Sequence, residues 1–224
     1  MSGLDTAMIL AAGRGERMRP LTDACPKPLL KVAGKALIEW HIEKLVAVGF
    51  QRIIINTAYL GEQIEATLGD GQRWKIQLLY SHEPQALETA GGILQALPLI
   101  KADPFLVING DIWNDWDYQR LASLQIGDAD AHLLLVANPE HHPKGDFAID
   151  GIRLVDRPEL TFSGVAVYRQ RFFETLVPGR HALAPLLRTA IAAKRVTGQQ
   201  QFGQWIDVGT PQRLAQLDQQ LTSK

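Results

Sequence analysis

The segment 13–27 joins glycines to four cationic side chains, a combination suited to binding phosphate groups. Glycine lacks a Cβ, so backbone N–H groups can approach a phosphate closely, and arginine and lysine neutralise its oxygens. The cations are Arg14, Arg17, Arg19 and Lys27. Prolines at 20, 26 and 28 prevent a long helix here and stiffen the chain. We therefore expect Arg17 and Lys27 to neutralise a triphosphate and a second phosphate; the alternative is a solvated cationic face.

Two aspartates stand beside apolar runs in separate segments, and together they could hold a metal ion. Asp111 ends the run VINGD, and Asp207 lies in WIDVG. Two carboxylates can share one Mg²⁺, which takes waters and phosphate oxygens for its remaining positions. Each aspartate alone is also consistent with a turn or helix-capping residue. The pair predicts a Mg²⁺ site that acts together with the cationic segment.

The sequence lacks the signatures of several other chemistries. There is no GxxxxGK[ST] loop and no protein-kinase signature, which disfavours ordinary γ-phosphoryl transfer. No cysteine or histidine cluster has zinc-site spacing, and His141-His142 is predicted to be solvated or close to a substrate. The one cysteine, Cys25, cannot form an internal disulfide and is predicted to be a small loop residue rather than a nucleophile.

The composition is that of a soluble globular protein with small-molecule partners. Apolar residues make up 46% and charged residues 21%, and 23 basic against 24 acidic residues give a net charge of −1. Broad nucleic-acid or membrane surfaces neutralise many phosphates, so a near-neutral chain argues against both. The N-terminal residues lack a signal-peptide pattern, and no apolar run approaches the roughly 20 residues of a membrane span. We expect a cytoplasmic monomer or small homo-oligomer.

The elements that must position these side chains alternate between strands and helices. Predicted strands are 7–12, 52–57, 75–80, 105–108 and 132–137, and predicted helices are 37–48, 62–68 and 88–97. Continuous aliphatic runs separated by helices indicate an α/β fold, with a mostly parallel sheet covered by helices on both faces. The cationic segment and Asp111 both follow strands, where open parallel sheets bind ligands.

The pattern changes after Asn138. Residues 139–168 contain turn signals and little helical period, and they predict an inserted lobe with antiparallel strands that ends in a strand at 161–168. A helix at 182–194, a strand at 195–202 and a helix at 211–221 complete the chain. No repeat or linker interrupts it, so residues 1–224 are predicted to form one domain that carries the lobe.

Three motifs resemble those of a known enzyme family. LAAGRGERMRPLTDACPKPL at 10–29, NGD at 109–111 and WIDVGTPQRL at 205–214 resemble the sugar-1-phosphate nucleotidyltransferases, in the right order over nearly the whole chain. The resemblance implies a Rossmann-like sheet with a small sugar-binding lobe. It also implies a reaction in which a nucleoside triphosphate and a sugar 1-phosphate are joined and pyrophosphate is released.

The resemblance assigns roles to individual positions. It implies catalytic roles for Arg17, Lys27 and Asp111, and Mg²⁺ ligands at Asp111 and Asp207. The implied nucleotide-binding residues are Ala11, Ala12, Gly13, Gly15, Arg17, Lys27, Thr89 and Gly91. The implied sugar-phosphate contacts are Asn109, Gly145, Asp146, Asp156 and Ser163. Asp156 stands where the family commonly has a longer glutamate, and Ser163 is also consistent with a small residue in a packed strand.

Within the family, several segments resemble the branch that acts on N-acetylmuramate α-1-phosphate. They include ALETAGGI, NPEHHPKGDF and LAPLLR. This resemblance implies transfer of a uridylyl group from UTP to the sugar phosphate, giving UDP-N-acetylmuramic acid and pyrophosphate, as part of peptidoglycan recycling. That sugar carries a lactyl carboxylate, so a cation is expected close to it, with Lys144, Arg157 and His142 as the candidates.

Three alternative functions remain open at this point. A guanylyl- or thymidylyltransferase acting on another hexose 1-phosphate would keep every phosphate-binding residue. A dinucleotide-dependent oxidoreductase would want glycine at position 18 and a helix directly after it, whereas the chain has Met18 and then prolines. A non-catalytic nucleotide sensor would be expected to lack one of the four charged residues, and all are present: Arg17, Lys27, Asp111 and Asp207.

Overall fold

The computed structural model describes residues 3–223 of the chain. Within this range the strands are β1 (Thr6–Leu10), β2 (Lys31–Val32), β3 (Lys35–Ala36), β4 (Arg52–Thr57), β5 (Gln77–His82), β6 (Phe105–Asn109), β7 (Ile112–Asn114), β8 (Ala131–Val136), β9 (Phe147–Asp150), β10 (Arg153–Tyr168), β11 (Val196–Gln200) and β12 (Trp205–Asp207). The helices are α1 (Leu37–Ala47), α2 (Gly61–Leu68), α3 (Glu88–Ile100), α4 (Tyr118–Ala122), α5 (Leu183–Ala192) and α6 (Pro211–Thr222). Of the helices in residues 3–223, none is long and apolar enough to cross a membrane.

Four parallel strands form one half of the central sheet, in the order β6-β1-β4-β5. Their sequences contain short continuous runs of aliphatic residues, which suit strands that are buried on both faces. In β4, for example, Ile53, Ile54 and Ile55 are all completely buried. The α/β fold with a mostly parallel sheet that the sequence predicts is confirmed.

Helices cover both faces of this sheet. Successive residues of a strand point to opposite sides, so a continuous apolar strand presents apolar side chains on both faces that must be buried. On β1, Ala7 and Ile9 belong to the apolar cluster that includes residues of α1 and α2. Met8, between them, belongs to the cluster that includes residues of α3 and α5. The two layers hold the strands rigidly and leave the carboxyl ends of β1, β4 and β6 to form the floor of a cleft.

The other half of the sheet is organised by β10, which is longer than the predicted strand at 161–168. Its last residues, Val165 to Tyr168, pair antiparallel with both β6 and β8. These residues therefore belong to the main sheet, although the sequence analysis counted them in the lobe at 139–168. The register shifts between Phe162 and Val165; Thr161 and Phe162 still pair with β8, whereas Leu160 and residues 153–155 pair with β9.

Two short strand pairs are missing from the sequence prediction. β2 and β3 form a hairpin, and β7 pairs antiparallel with β12. Strands of two or three residues are too short to show a period in the sequence. Both pairs border a third apolar cluster, in which Met18 of the cationic segment packs with Trp113, Val208 and Leu217 of α6. This cluster anchors the cationic segment against the sheet.

Candidate active site

Three parallel strands end at one edge of the sheet and open into a cleft of about 410 Å³. Leu10 and Asn109 end β1 and β6, and Asn56 lies one residue before the end of β4. The cleft is lined by residues 10–13, 15–18, 27–28, 56, 83, 86, 88–89, 109–111 and 209. This strand-end cleft lies at the position where open α/β sheets bind their ligands.

The four cations of the segment 13–27 fall into two groups according to their surroundings. Arg14 lies 2.7 Å from Glu16, and Arg19 lies 2.7 Å from Asp23, so an acidic neighbour neutralises each of them. Arg17 and Lys27 instead line the strand-end cleft. They are the two cations that the sequence analysis assigned to phosphates, and their catalytic roles stay predictions.

Lys27 forms an ion pair with Asp111, and its Nζ lies 2.6 Å from Oδ2 of the carboxylate. The lysine side chain is only 9% exposed, whereas that of Asp111 is 38% exposed. Gly15 makes room for the buried stem of Lys27, since a Cβ on Gly15 would lie 3.2 Å from Lys27 Cβ. Gly15 also has φ +69°, a conformation that glycine adopts without strain. The hydroxyl of Thr22 donates to Gly15 O at 2.9 Å and fixes the turn.

Asp207 is brought next to Asp111 by the pairing of β7 with β12. Asp207 stands opposite Ile112 in this ladder, and Val208 N donates to Asp111 O at 2.8 Å. The Asp207 carboxylate accepts a hydrogen bond from Arg213 Nη1 at 2.8 Å, and His141 Nε2 lies 3.3 Å from the same oxygen. Asp111 therefore lines the cleft, Asp207 lies next to it in the β7–β12 pair, and each aspartate contacts a cation.

The two aspartates fit a Mg²⁺ ion that is bound together with its substrates. Within residues 3–223 no group of three His, Cys, Asp or Glu side chains is close enough to hold a metal ion by itself. Mg²⁺ is commonly bound through one or two carboxylates, with waters and substrate phosphates as its other ligands. Asp111 and Asp207 supply that number of carboxylates beside Arg17, whose Nη2 would lie 3.1 Å from a Cβ on Gly209.

A buried polar network also lines the strand-end cleft. Asn56 accepts a hydrogen bond from Ala11 N at 2.8 Å and donates to Glu83 Oε1 at 2.7 Å. The other oxygen of Glu83 accepts from Leu87 N at 2.7 Å. Asn56 and Glu83 line the cleft, and neither was predicted from the sequence. A polar residue at the end of the apolar run RIIINT is the signal that could have identified Asn56.

Only some of the residues that were predicted to bind the nucleotide at the start of α3 line the cleft. Thr89 lines the strand-end cleft, as do Ala11, Ala12 and Gly13 from the loop after β1. Gly91 faces away from it, because a Cβ there would lie 2.3 Å from Gly179 O. Gly91 does not line the cleft, and its lack of a Cβ allows the chain around residue 179 to pack against α3; its contact with the nucleotide stays a prediction.

A second hollow of about 460 Å³ adjoins the first and shares Glu88, Thr89 and Asn109 with it. This side pocket is further lined by residues 146–147, 162, 182–184 and 187–188. Asn109 sits between the hollows, and Gly164 makes room for it, since a Cβ on Gly164 would lie 2.5 Å from Asn109 Nδ2. The predicted sugar contacts Asn109 and Asp146 thus both line the side pocket.

Three other predicted sugar contacts do not line the side pocket. Ser163 is completely buried, and its hydroxyl donates to Leu134 O at 2.7 Å, so its role is corrected to packing within the sheet. Gly145 adopts φ +73°, and a Cβ there would lie 2.8 Å from Leu160 N, so it serves the turn that precedes Asp146. Asp156 contacts Arg188, which does line the pocket, at 3.2 Å.

A buried histidine supports the strand that follows Asp111. His41 of α1 is 2% exposed, and its Nε2 lies 2.7 Å from Ile112 O while Nδ1 lies 3.2 Å from the Tyr118 hydroxyl. Burial lowers the pKa of His41 to about 4, so the ring is neutral at physiological pH. The histidine fixes β7 and thereby the position at which Asp111 enters the cleft.

Comparison with known proteins relates this architecture to enzymes. The chain is 53% identical to an N-acetylmuramate alpha-1-phosphate uridylyltransferase of Neisseria meningitidis, over 93% of this chain and 94% of that protein. It is 36% identical to the protein of the same name from Caulobacter vibrioides, over 92% of both. A mannose-1-phosphate guanylyltransferase catalytic subunit beta of Drosophila melanogaster is 28% identical over 92% of this chain and 59% of that protein.

Solved structures share the fold at low sequence identity. The inositol-1-phosphate CTP transferase from T. maritima superposes with a TM-score of 0.81 at 18% identity, covering 100% of this chain and 97% of that one. HddC from Yersinia pseudotuberculosis superposes with a TM-score of 0.78 at 23% identity, over 97% of this chain and 100% of that one. The family model described as Nucleotidyl transferase matches residues 6–149, which include the cationic segment and Asp111. The chain therefore belongs to the nucleotidyltransferase family, as its motifs predict.

Proposed function

We propose that this chain transfers the uridylyl group of UTP to N-acetylmuramate α-1-phosphate, forming UDP-N-acetylmuramate and pyrophosphate. One observation carries the proposal: Arg17, Lys27 and Asp111 converge on a cleft that opens directly into a second pocket. Two anionic substrates could meet at that junction. The choice of uridine and N-acetylmuramate is supported by the names of the relatives that are 53% and 36% identical to the chain.

The proposed reaction is an in-line displacement at phosphorus. A phosphate oxygen of the sugar 1-phosphate attacks the α-phosphorus of UTP and forms the new P–O bond. The bond from that phosphorus to the bridging oxygen of the β-phosphate breaks, and pyrophosphate leaves with the electron pair. The nucleophile is already an anion at neutral pH, so no general base is required. The main barrier is the repulsion between two polyanions, which the site must neutralise and align.

Lys27 and Arg17 perform most of this neutralisation in our proposal. The ammonium of Lys27 is held at the floor of the cleft by Asp111, so it is oriented before the substrates arrive. Arg17 is more exposed and stabilises the charge that moves onto the leaving pyrophosphate. Ala11, Ala12, Gly13, Gly15 and Thr89 surround the nucleotide. Asn109 and Asp146 contact the sugar ring of the sugar 1-phosphate in the side pocket.

Asp111 and Asp207 are the residues that would hold Mg²⁺. When bound, the ion supplies charge neutralisation to the phosphate oxygens of both substrates. Because Lys27 and Arg213 already contact these carboxylates, the aspartates are kept in place without a metal. We propose that these two carboxylates would hold the ion only together with the phosphates of the nucleotide, because the protein supplies no third ligand within residues 3–223.

The cellular setting follows from the proposed substrates. UDP-N-acetylmuramate is a cell-wall precursor, so we propose a role in peptidoglycan recycling in the cytoplasm, where UTP is available. The partners would be small molecules, without nucleic acid or membrane, and the protein would act as a monomer or small homo-oligomer. We also propose that residues 1–224 work as one nucleotidyltransferase domain that carries the lobe, with β10 running from the lobe into the main sheet at Val165.

A substrate panel tests the proposal. Pyrophosphate release would be measured with Mg²⁺ for UTP, GTP, dTTP, CTP and ATP, each paired with N-acetylmuramate, N-acetylglucosamine, glucose and mannose 1-phosphates. We expect the highest kcat/KM for UTP with N-acetylmuramate 1-phosphate, with UDP-N-acetylmuramate identified by mass spectrometry. Preference for any other pair would contradict the proposal.

The second candidate is a guanylyltransferase. It is favoured by the 28% identity to a mannose-1-phosphate guanylyltransferase subunit, although the chain spans only 59% of that protein. In the panel this candidate predicts a preference for GTP with mannose 1-phosphate. No turnover with any pair would instead support a nucleotide sensor without catalytic activity.

A further inference from the structure

The side pocket has a charge pattern that points to a particular substituent on the sugar. Its walls are largely apolar, with Phe147, Phe162 and Leu187 among the lining residues. Among the described residues that line it, Arg188 is the one arginine or lysine. A cation at the edge of an apolar pocket favours a ligand that carries an anionic group next to its less polar parts.

Arg188 is held in place by one edge of its guanidinium. Nε lies 3.2 Å from Oδ1 of Asp156 on β10, and the Arg188 side chain is 52% exposed. The contact with Asp156 uses Nε, so the guanidinium edge formed by Nη1 and Nη2 is left for a ligand. Arginine binds carboxylates through two parallel N–H groups in such an arrangement, so a fixed Nε leaves a suitable edge for a ligand.

The acidic residues of the side pocket already have partners. Asp146 accepts a hydrogen bond from Phe162 N at 2.8 Å and lies 3.1 Å from His142 Nε2. Glu88 lies 2.8 Å from Arg180. Both carboxylates would repel an anionic substituent placed beside them, because like charges at close range are unfavourable. An anionic group in the pocket is therefore directed toward Arg188.

The cations that the sequence suggested for the lactyl carboxylate occupy other positions. Arg157 lies 2.8 Å from Glu159 and is not part of the pocket lining. Lys144 is exposed and also lies outside the lining. His142 contacts Asp146 and reaches the pocket only through that carboxylate. Arg188 is the better candidate, because the face of α5 that carries it forms a wall of the pocket. The other α5 residues on this wall are Leu183, Ala184 and Leu187, and Arg188 lies one helical turn after Ala184.

We infer that Arg188 binds the lactyl carboxylate of N-acetylmuramate α-1-phosphate and distinguishes this sugar from N-acetylhexosamines that lack it. Asp156 is a positioning residue that orients the guanidinium and does not touch the substrate. This inference rests on the proposed function, since it assumes a sugar with a carboxylate. It gives Asp156 a different task from the direct sugar contact that the sequence predicted.

Two substrates that differ only at the carboxylate test the inference. N-acetylmuramate α-1-phosphate and its lactyl carboxamide would be compared, with UTP and Mg²⁺, in the wild type and in Arg188→Gln. The wild type is expected to favour the acid by about 100-fold in kcat/KM, and Arg188→Gln to reduce this preference to less than fivefold. The loss should lie in KM for the acid, with KM for UTP and kcat for the amide nearly unchanged.

Additional variants separate positioning from folding. Asp156→Asn should raise KM for the acid by about tenfold with little change for the amide, whereas a structural defect would affect both substrates. Arg157→Gln is the control, because Arg157 follows Asp156 in the sequence but does not line the side pocket. Its kinetics on both substrates should be those of the wild type. Equal losses on acid and amide in Arg188→Gln, or a wild-type preference in that variant, would overturn the inference.

The kinetics of the wild type alone show whether the proposed function is correct. If the wild type uses neither N-acetylmuramate substrate, the proposed function fails and the inference fails with it. If the wild type uses the acid well but shows no preference over the amide, only the assignment of a carboxylate-binding site is overturned. A preference that moves with Arg157→Gln rather than Arg188→Gln would also overturn it and transfer the role to Arg157.

Discussion

The Nζ atom of Lys27 lies 2.6 Å from Oδ2 of Asp111, although the two residues are 84 positions apart in the chain. The lysine comes from the cationic segment after β1, and the aspartate follows β6, the neighbouring parallel strand. Their ion pair joins a side chain that is proposed to neutralise phosphate to one that is proposed to bind metal. Charge at this point is therefore balanced before any substrate binds.

Replacing Lys27 should impair turnover more than it impairs folding. Lys27→Met keeps much of the buried stem against Gly15 but removes the charge. We expect kcat to fall roughly 100- to 1,000-fold, the loss typical of removing one preorganised group that stabilises transition-state charge. Steady-state kinetics and thermal unfolding would be measured on the same preparations. Lys31→Met, an exposed lysine outside the cleft, is the control and should keep wild-type turnover.

Asp111→Asn and Asp207→Asn should each remove nearly all activity while preserving the fold. A neutral amide is a poorer Mg²⁺ ligand than a carboxylate, so we expect turnover to fall by about 1,000-fold or more at limiting Mg²⁺. Pyrophosphate release would be titrated against Mg²⁺ for both variants. Asp150→Asn, exposed at the end of β9, provides a charge-matched control. Wild-type turnover of either active-site variant at limiting Mg²⁺ would refute the metal assignment.

Arg213 should compete with the metal for Asp207. Its Nη1 lies 2.8 Å from Asp207 Oδ2, and both side chains are mostly buried, at 18% and 20% exposure. Arg213→Gln is expected to lower the Mg²⁺ concentration for half-maximal activity by roughly fivefold, equivalent to about 1 kcal/mol of ion-pair energy. The Mg²⁺ titration gives this value directly, with the exposed Arg120→Gln as a control. An unchanged Mg²⁺ requirement would mean that Arg213 and the ion do not compete.

Acid should destabilise the fold through His41. Its pKa is 6.5 in an unfolded chain and about 4 in the folded protein, where burial disfavours the charged ring. Between these values the unfolded state binds more protons, so the free energy of unfolding falls as the pH falls through this range. For His41 alone the loss between pH 7.5 and pH 5 is about 2 kcal/mol.

Urea unfolding at the two pH values tests the contribution of His41. His41→Asn should be less stable than the wild type at pH 7.5, because the contacts with Ile112 and Tyr118 are weakened. It should lose less additional stability at pH 5, because the group that titrates is gone. His82→Gln, which removes an exposed histidine, should retain the wild-type pH dependence. The same pH dependence in His41→Asn and the wild type would show that His41 does not cause it.

Local sequence determined most of the α/β framework. The bounds of β4 agree with the prediction at 52–57, since a buried aliphatic run between turn residues has few other solutions. α3 extends further than predicted, to Ile100, because packing continues past the predicted end at residue 97. The start of β5 moves from 75 to Gln77, since Lys75 takes a positive φ of 59° at the end of a short turn. Such boundaries depend on contacts and not on period alone.

Local sequence also indicated which cations line the cleft. Prolines and apolar residues surround Arg17 and Lys27, whereas the residues of a solvated charged face would have polar neighbours. Local sequence did not reveal Arg188, which in the sequence is a polar position on an amphipathic helix. Arg188 follows Ala184 by four residues, so both lie on one face of α5. This spacing does not reveal which other part of the protein that face packs against. Only the docking of α5 beside β10 brings Arg188 to the side pocket and to Asp156.

Residues close along the chain specify the longer strands and helices, the cationic segment and the two aspartates, because each of these features depends on local sequence. Which side chains meet depends on contacts between distant segments. β7 and β12 are three residues each, and their pairing places Asp207 beside Asp111. The same packing turned Ser163 into the sheet and Gly91 toward residue 179. Contacts between distant segments depend on how whole elements pack, and no local pattern of residue types encodes that geometry.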